Sequence, residues 1–281
     1  MLFILYLNIM RIAYCLCGFL REYITSEELR TILQLSLPSP SIIDIFWYAP
    51  SLLNYPIQAV ELDKDFIKSV FTNSNLGDVV IEWFDINMIP FYELVQSCNF
   101  SVSDLNKYIP SPSRRFSFIH NLSRSIKLAY EYSVKNNINY DLVIVTRPDY
   151  IKYIPRYNIP RVIEKGVYIY RVCPYRTTPE QQQVSNDEFV PDSEDRCFYG
   201  TPDFIFEMRD FYSKLVELAK HPSYSSERLH TLFLWKTFGK EHIYYQNDGI
   251  IINFPTKRAT DFERSVKNDE FEYYNSISKL I

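Results

Sequence analysis

The sequence predicts an α/β sandwich: a mixed, mostly parallel sheet flanked by helices, in a single compact domain. Three observations lead there. Strand-like and helix-like segments alternate from Arg11 to Phe254. The central strand-like segments are continuous apolar runs, Leu142–Val145 above all, as expected of strands covered on both faces. The chain has 281 residues and is 47% hydrophobic, enough for a substantial core and within the reach of one large domain.

The elements follow in order. Met1–Ile9 reads as an extension, because Arg11 interrupts the apolar opening before it reaches spanning length and no small-residue cleavage site follows. Arg11–Leu16 is a first buried strand ending at Gly18, with Cys15 and Cys17 on one face. The segment 26–37 is a helix with Ser26 as its N-cap. Ser41–Pro50 is a second strand, Asp63–Phe71 a short helix and Asp78–Asp85 a third strand. Residues 86–113 carry three prolines and read as loop or short helical turns. A long helix runs from Ser113 to Asn136, with Ile119, Leu122, Ile126, Ala129 and Val134 near the 3.6 period. It leads into the strand at 142–145. Residues 151–165 form a loop, 166–172 a strand, and Pro174–Asp195 a polar surface loop. Cys197–Thr201 is a strand. Thr201-Pro202-Asp203 then opens a helix, with Phe204, Met208, Phe211, Leu215 and Leu218 as its buried stripe. Ser225 or Ser226 caps a further helix that ends before Gly239, and two strands follow at 242–245 and 249–254. Residues 10–256 make up the domain, and 257–281 a polar tail.

Composition excludes several functions. Six glycines stand where average usage of about 7% would give roughly three times as many, and no two are close. Neither a dinucleotide fingerprint nor a P-loop can be written, so phosphate must be held by side chains, a metal or a helix start. Four His and five Cys show no zinc spacing, and their scatter fits a reducing compartment, the cytoplasm. Charge is mixed, with a net of −4 and no basic block, which argues against nucleic acid. Membrane association is not expected. The sequons at Asn99 and Asn121 are short motifs of the kind chance supplies, and Asn121 sits in the helix pattern. The 23 Tyr and 20 Phe suit an aromatic core and also a surface that stacks on sugars.

Ligands of such sheets sit beyond the carboxyl ends of the strands, so the residues there are the candidates. After the first strand stand Gly18, Phe19 and Arg21: a turn that lets a ligand approach the backbone, then a guanidinium fork for phosphate. After the 142–145 strand stands Thr146-Arg147-Pro148-Asp149-Tyr150. A carboxylate there can hold Mg²⁺ or Mn²⁺ against a diphosphate, and Arg147 can neutralise phosphate. The same two residues also suit an internal ion pair that shapes the turn.

The segment 140–150, YDLVIVTRPDY, resembles the strand and DxD-like motif of GT-A-type glycosyltransferases. The nearest likeness is to the small glycan-building transferases of large algal DNA viruses, one of which transfers xylose. The opening RIAYCLCGFLR is similar to that group's first strand, and the later order agrees, with Ser225-Ser226-Glu227 in the place of an xED-type helix start. Position 147 departs from the pattern, as Arg where the first Asp of DxD would stand. No metal-ligand His follows His242. Both departures bear on metal dependence.

The resemblance implies a GT-A-like domain with a nucleotide-sugar half at 10–150 and an acceptor half at 151–256. It implies transfer from a nucleotide sugar, such as UDP-xylose, to a glycan or glycoprotein hydroxyl, with inversion. Asp149, through Mn²⁺ or Mg²⁺, and Arg147, Arg21 and Arg124 would face the donor. Glu227 would be the base, with Asp195 in reserve. Phe198, Tyr199 and Trp235 would stack on the acceptor. For Glu227 the plainer role is a first-turn acid stabilising its own helix, and for Arg124 a solvated helix face. The alternative function is a non-catalytic glycan-binding or assembly protein on a transferase-like sheet.

Overall fold

The structure, a computed structural model, describes residues 9–18, 24–50, 52–53, 60–61, 63–84, 112–148, 150–151, 159–170, 197–218, 226–247 and 250–253. The expectations for 86–111, for the loop 174–195 and for the tail lie outside them.

The strands are β1 (Met10–Cys17), β2 (Ser41–Pro50), β3 (Leu52–Leu53), β4 (Val60–Glu61), β5 (Val79–Phe84), β6 (Leu142–Thr146), β7 (Val167–Tyr170), β8 (Cys197–Gly200), β9 (Ile243–Asn247) and β10 (Ile250–Asn253). Eight of them form one sheet in the order β10-β9-β7-β8-β6-β1-β2-β5, while β3 and β4 pair separately. Parallel pairing joins β1 to β2, β1 to β6, β2 to β5 and β7 to β9. β8 runs antiparallel to both β6 and β7, and β10 antiparallel to β9. Six strands therefore point one way and two the other, the mixed, mostly parallel sheet the alternation predicts.

Helices cover both faces. Along β1, Ala13, Cys15 and Cys17 face one core, shared with α3 (Pro112–Asn136), the 202–218 segment and α6 (Ser226–Phe238). Ile12, Tyr14 and Leu16 face the other, shared with α1 (Ser26–Ser36) and α2 (Lys64–Thr72). The two-residue period of a strand thus divides one apolar run between two cores. Cys15, Cys17 and Cys197 are buried thiols outside any disulfide, and burial pushes the Cys15 thiol up.

Local details refine the expected elements. The cap of α1 is Thr25, not Ser26: its hydroxyl accepts from the Glu28 N–H (3.2 Å) and the Glu28 carboxylate accepts from the Thr25 N–H (2.8 Å), a reciprocal box. On α3 the buried series is Ile119, Leu122, Ile126, Ala129 and Ser133, whereas Val134 is 64% exposed. Steps of three and four residues land on 133, so the apolar residue beside it points out. Asn121 is buried in this helix, so its sequon is covered. The helix expected after Thr201 is broken into α4 (Pro202–Ile205), a 3₁₀ turn (Phe206–Asp210) and α5 (Phe211–Leu218). Thr201 precedes it in extended conformation without a side-chain capping bond. Gly239 closes α6 at φ +82°, the left-handed position that glycine fills at least cost.

A charged network ties the amino edge of the sheet together. The fully buried Asp44 of β2 accepts from Arg11 Nε (2.8 Å), from the Tyr140 hydroxyl (2.8 Å) and from the Asp78 N–H (2.8 Å). Tyr132 donates to Asp78 (2.6 Å), and the Arg11 N–H donates to Asp141 (2.8 Å). Three separate segments therefore converge on one buried carboxylate.

Candidate functional site at the switch point of the sheet

The strand order reverses at β1. The chain steps from β1 outward to β2 and β5 on one side, then returns to place β6 on the other. Neighbouring parallel strands whose connections leave in opposite directions open a crevice beyond their carboxyl ends. Here those ends are adjacent, since Leu16 pairs with Thr146 and the Cys17 thiol lies 3.5 Å from the Thr146 carbonyl. Gly18 and Arg147 are the residues that leave the sheet on either side of the crevice.

Gly18 has φ +98°, and among the described residues nothing lies within 4 Å of where a Cβ would stand. The conformation favours glycine, and no described residue fills the space above it. The Trp47 indole N–H donates to the Gly18 carbonyl (3.1 Å). Trp47 is itself fully buried, packed on Phe71 (5.5 Å) and Trp83 (5.9 Å). Gly18→Ala is expected to lower stability by about 1–3 kcal/mol through backbone strain alone. Urea denaturation checks this, and an unchanged midpoint would mean that the turn relaxes freely.

Arg147 begins a tight turn. The Tyr150 N–H donates to the Arg147 carbonyl (2.9 Å), and the guanidinium stands 5.5 Å from the Tyr150 ring centroid. Thr146 and Ile151 are buried on either side, which fixes the turn at both ends. Phe19, Arg21, Asp149 and Asp195 lie outside the described residues. β8 nevertheless enters the sheet at this edge, because Cys197, two positions after Asp195, pairs with Thr146.

The direction of α6 follows from two ring contacts. His230 lies 4.9 Å from Phe198, near the start of β8, and Phe238 lies 5.1 Å from Phe204, beyond its end. β8 runs from the carboxyl edge of β6 to its amino edge, so α6 does too. The backbone of Glu227, one turn before His230, is therefore at the end of α6 nearer the crevice. A first-turn position favours an ionised carboxylate. The described residues do not include the Glu227 side chain.

No protein-family model matches this chain, and no curated protein matches it.

The aromatic residues expected to meet an acceptor are core residues instead. Phe198 is 0% exposed and Tyr199 1%. Phe198 packs on His230, and Tyr199 stacks on Tyr168 (5.0 Å, 6°), which stacks in turn on Tyr244 (4.6 Å, 12°). Trp235, at 9%, belongs to the core beside α3. The physical reason is that β8 is a central strand covered on both faces, so neither side of it reaches solvent. Burial accordingly raises the Tyr199 hydroxyl above its ordinary range.

Arg124 is held in an ion pair with Glu82 (2.6 Å) and lies 5.5 Å from the ring centroid of Tyr48. Burial is the largest single influence and pulls its pKa down, but the hydrogen bond and charge of Glu82, with smaller contributions from Tyr48 and Glu131, together outweigh it and the net shift is upward. Tyr48 stacks on Phe84 (4.5 Å) and meets His120 edge-on (5.5 Å). Burial lowers the His120 pKa, which favours the neutral ring. Tyr48 pairs with Cys17 across β1 and β2, so this cluster flanks the crevice one strand away. The sequence gives no sign of it, because its members are joined only by the register of β2 with β5 and by the packing of α3. Among the described residues no group of three or more His, Cys, Asp or Glu could hold a metal ion.

Proposed function

We propose that this chain is a GT-A-type glycosyltransferase that moves a monosaccharide from a nucleoside diphosphate sugar to a hydroxyl of a glycan or glycoprotein. One observation carries the reading: a left-handed glycine turn and an arginine-bearing turn stand side by side at the switch point of a mostly parallel sheet. The resemblance to the small transferases of large algal DNA viruses, one of which transfers xylose, makes UDP-xylose the first donor to try. A reducing cytoplasm, in a host cell if the chain is viral, is the setting that matches the three described cysteines, none of them in a disulfide.

The reaction is a direct displacement. The acceptor oxygen bonds to the anomeric carbon, the bond from that carbon to the diphosphate oxygen breaks, and the nucleoside diphosphate leaves with the electron pair. The hydroxyl proton passes to Glu227, with Asp195 as the alternative base, and configuration inverts. Arg147 and Arg21 offset the charge that grows on the leaving diphosphate. Asp149 is the residue that would hold Mn²⁺ or Mg²⁺ there, and such an ion would add to the same electrostatic stabilisation.

A melting-shift screen of UDP- and GDP-sugars, with and without Mn²⁺, tests the reading. A true donor at about 100 times its Kd should stabilise the fold by about 2.7 kcal/mol. Asp149→Asn should remove that gain together with any stimulation by metal. Absence of a shift with every nucleotide would favour a glycan-binding or assembly protein without transferase activity.

A further inference from the structure

A groove of about 310 Å³ lies at the amino edge of the sheet, between the end of α3 and the segment after Thr201. The length of β6, five residues or about 16 Å, separates this edge from the crevice at Gly18 and Arg147. The volume is at the lower end of ligand clefts and suits one small molecule.

The floor of the groove is aromatic. Phe206 meets Tyr130 (5.7 Å, 67°) and Tyr140 (6.4 Å, 75°) edge to face. Tyr130 and Phe206 are half-buried, so each ring keeps surface in the groove. Each part is also held in place from behind. The Tyr140 hydroxyl donates to buried Asp44 (2.8 Å). Arg209 donates to the Phe206 carbonyl (2.7 Å) and to Glu207 (3.2 Å), with its guanidinium 4.2 Å from the Tyr130 ring centroid. Such a site needs little ordering when a ligand arrives.

The charges decide the ligand class. Glu207 is paired with Arg209, and Asp203 with Lys165 (3.5 Å). Among the described residues that line the groove, each charged side chain is thus paired, so a phosphate meets no uncompensated cation and an ammonium no uncompensated carboxylate. The paired groups still have lone pairs and N–H donors to spare, and the exposed Asn139 carboxamide stands beside them. The matching ligand is uncharged, with a C–H face for the rings and several hydroxyls for the rim. We propose that this groove binds a neutral saccharide unit, at a site separate from the switch point. The inference rests on the groove's own chemistry and stands whether or not the chain transfers sugar.

Saturation-transfer NMR on the full chain tests it, with methyl glycosides of glucose, galactose, mannose and xylose as probes and inorganic phosphate as the charged control. At least one glycoside should receive transfer at its ring C–H protons. Asn139→Ala and Glu207→Gln, both at exposed or half-exposed positions, should each weaken that binding roughly tenfold or more while the melting temperature stays near that of the parent. Phosphate should not compete. No transfer to any glycoside, equal transfer in both variants, or displacement by phosphate would overturn the proposal.

Discussion

Replacing Asp44 with alanine is expected to lower the free energy of unfolding by about 3–5 kcal/mol. The carboxylate is 0% exposed and accepts three hydrogen bonds, from Arg11, Tyr140 and the backbone of Asp78. Its removal leaves the Arg11 guanidinium with the longer contact to Asp78 (3.6 Å) and leaves a buried phenol without its acceptor. Unsatisfied buried groups cost their full desolvation, so the loss exceeds the net value of three ordinary bonds. Against a typical total of about 5–15 kcal/mol, the variant would be barely folded. Asp44→Asn should cost less, because its amide oxygen can still accept. Urea denaturation of both variants checks the ranking, and a loss below about 1 kcal/mol for alanine would mean that the network contributes little. The same cluster has an alkaline limb. The Tyr132 hydroxyl, hydrogen-bonded to Asp78, is pushed up to about 12 from its ordinary value of 10.0. The folded chain therefore holds this proton more tightly than the unfolded one. The stabilisation is complete below pH 10 and is lost as pH rises towards 12.

Glu227→Gln is expected to reduce sugar transfer by about 10²–10⁴-fold while donor affinity stays unchanged. The amide keeps the shape of the side chain but cannot take the acceptor proton. If Glu227 serves only its own helix, the substitution removes a favourable first-turn charge, costs about 0.3–1 kcal/mol of stability and leaves transfer intact. Single-turnover kinetics beside calorimetric donor binding separates the two outcomes. Asp149→Asn should behave in the opposite way, losing donor affinity first.

Much of the fold was legible because central parallel strands are buried on both faces. Arg11–Leu16, Ser41–Pro50 and Leu142–Val145 each read as apolar text that only a strand of that length explains. The reversed direction of β8 was not legible, since four apolar residues read alike both ways. Nor was the burial of Phe198 and Tyr199: an aromatic pair at a strand start suits a sugar-facing surface as well as a core until the neighbours β6 and β7 are known. Asp44 stood in plain view inside an apolar strand, but its partners are 33 to 96 positions away in the sequence. Thr25 was readable, because Thr25-Ser26-Glu27-Glu28 spells a capping box one residue earlier than the cap expected at Ser26. At the candidate site, Gly18 and Arg147 were legible as strand ends, and the pairing of Leu16 with Thr146 supplies what the sequence lacked, their adjacency. The groove beside Tyr130 was beyond sequence reasoning, because it exists only where the end of α3 meets the turn after Thr201.

The position of the diphosphate tests the central claim most directly. In a co-crystal of the chain with a UDP-sugar and Mn²⁺, both phosphates should lie in the crevice between the Gly18 turn and residues 146–150, within hydrogen-bonding reach of Arg147. A nucleotide seated elsewhere on the molecule, or a crevice filled by the chain's own residues in the complex, would contradict the account.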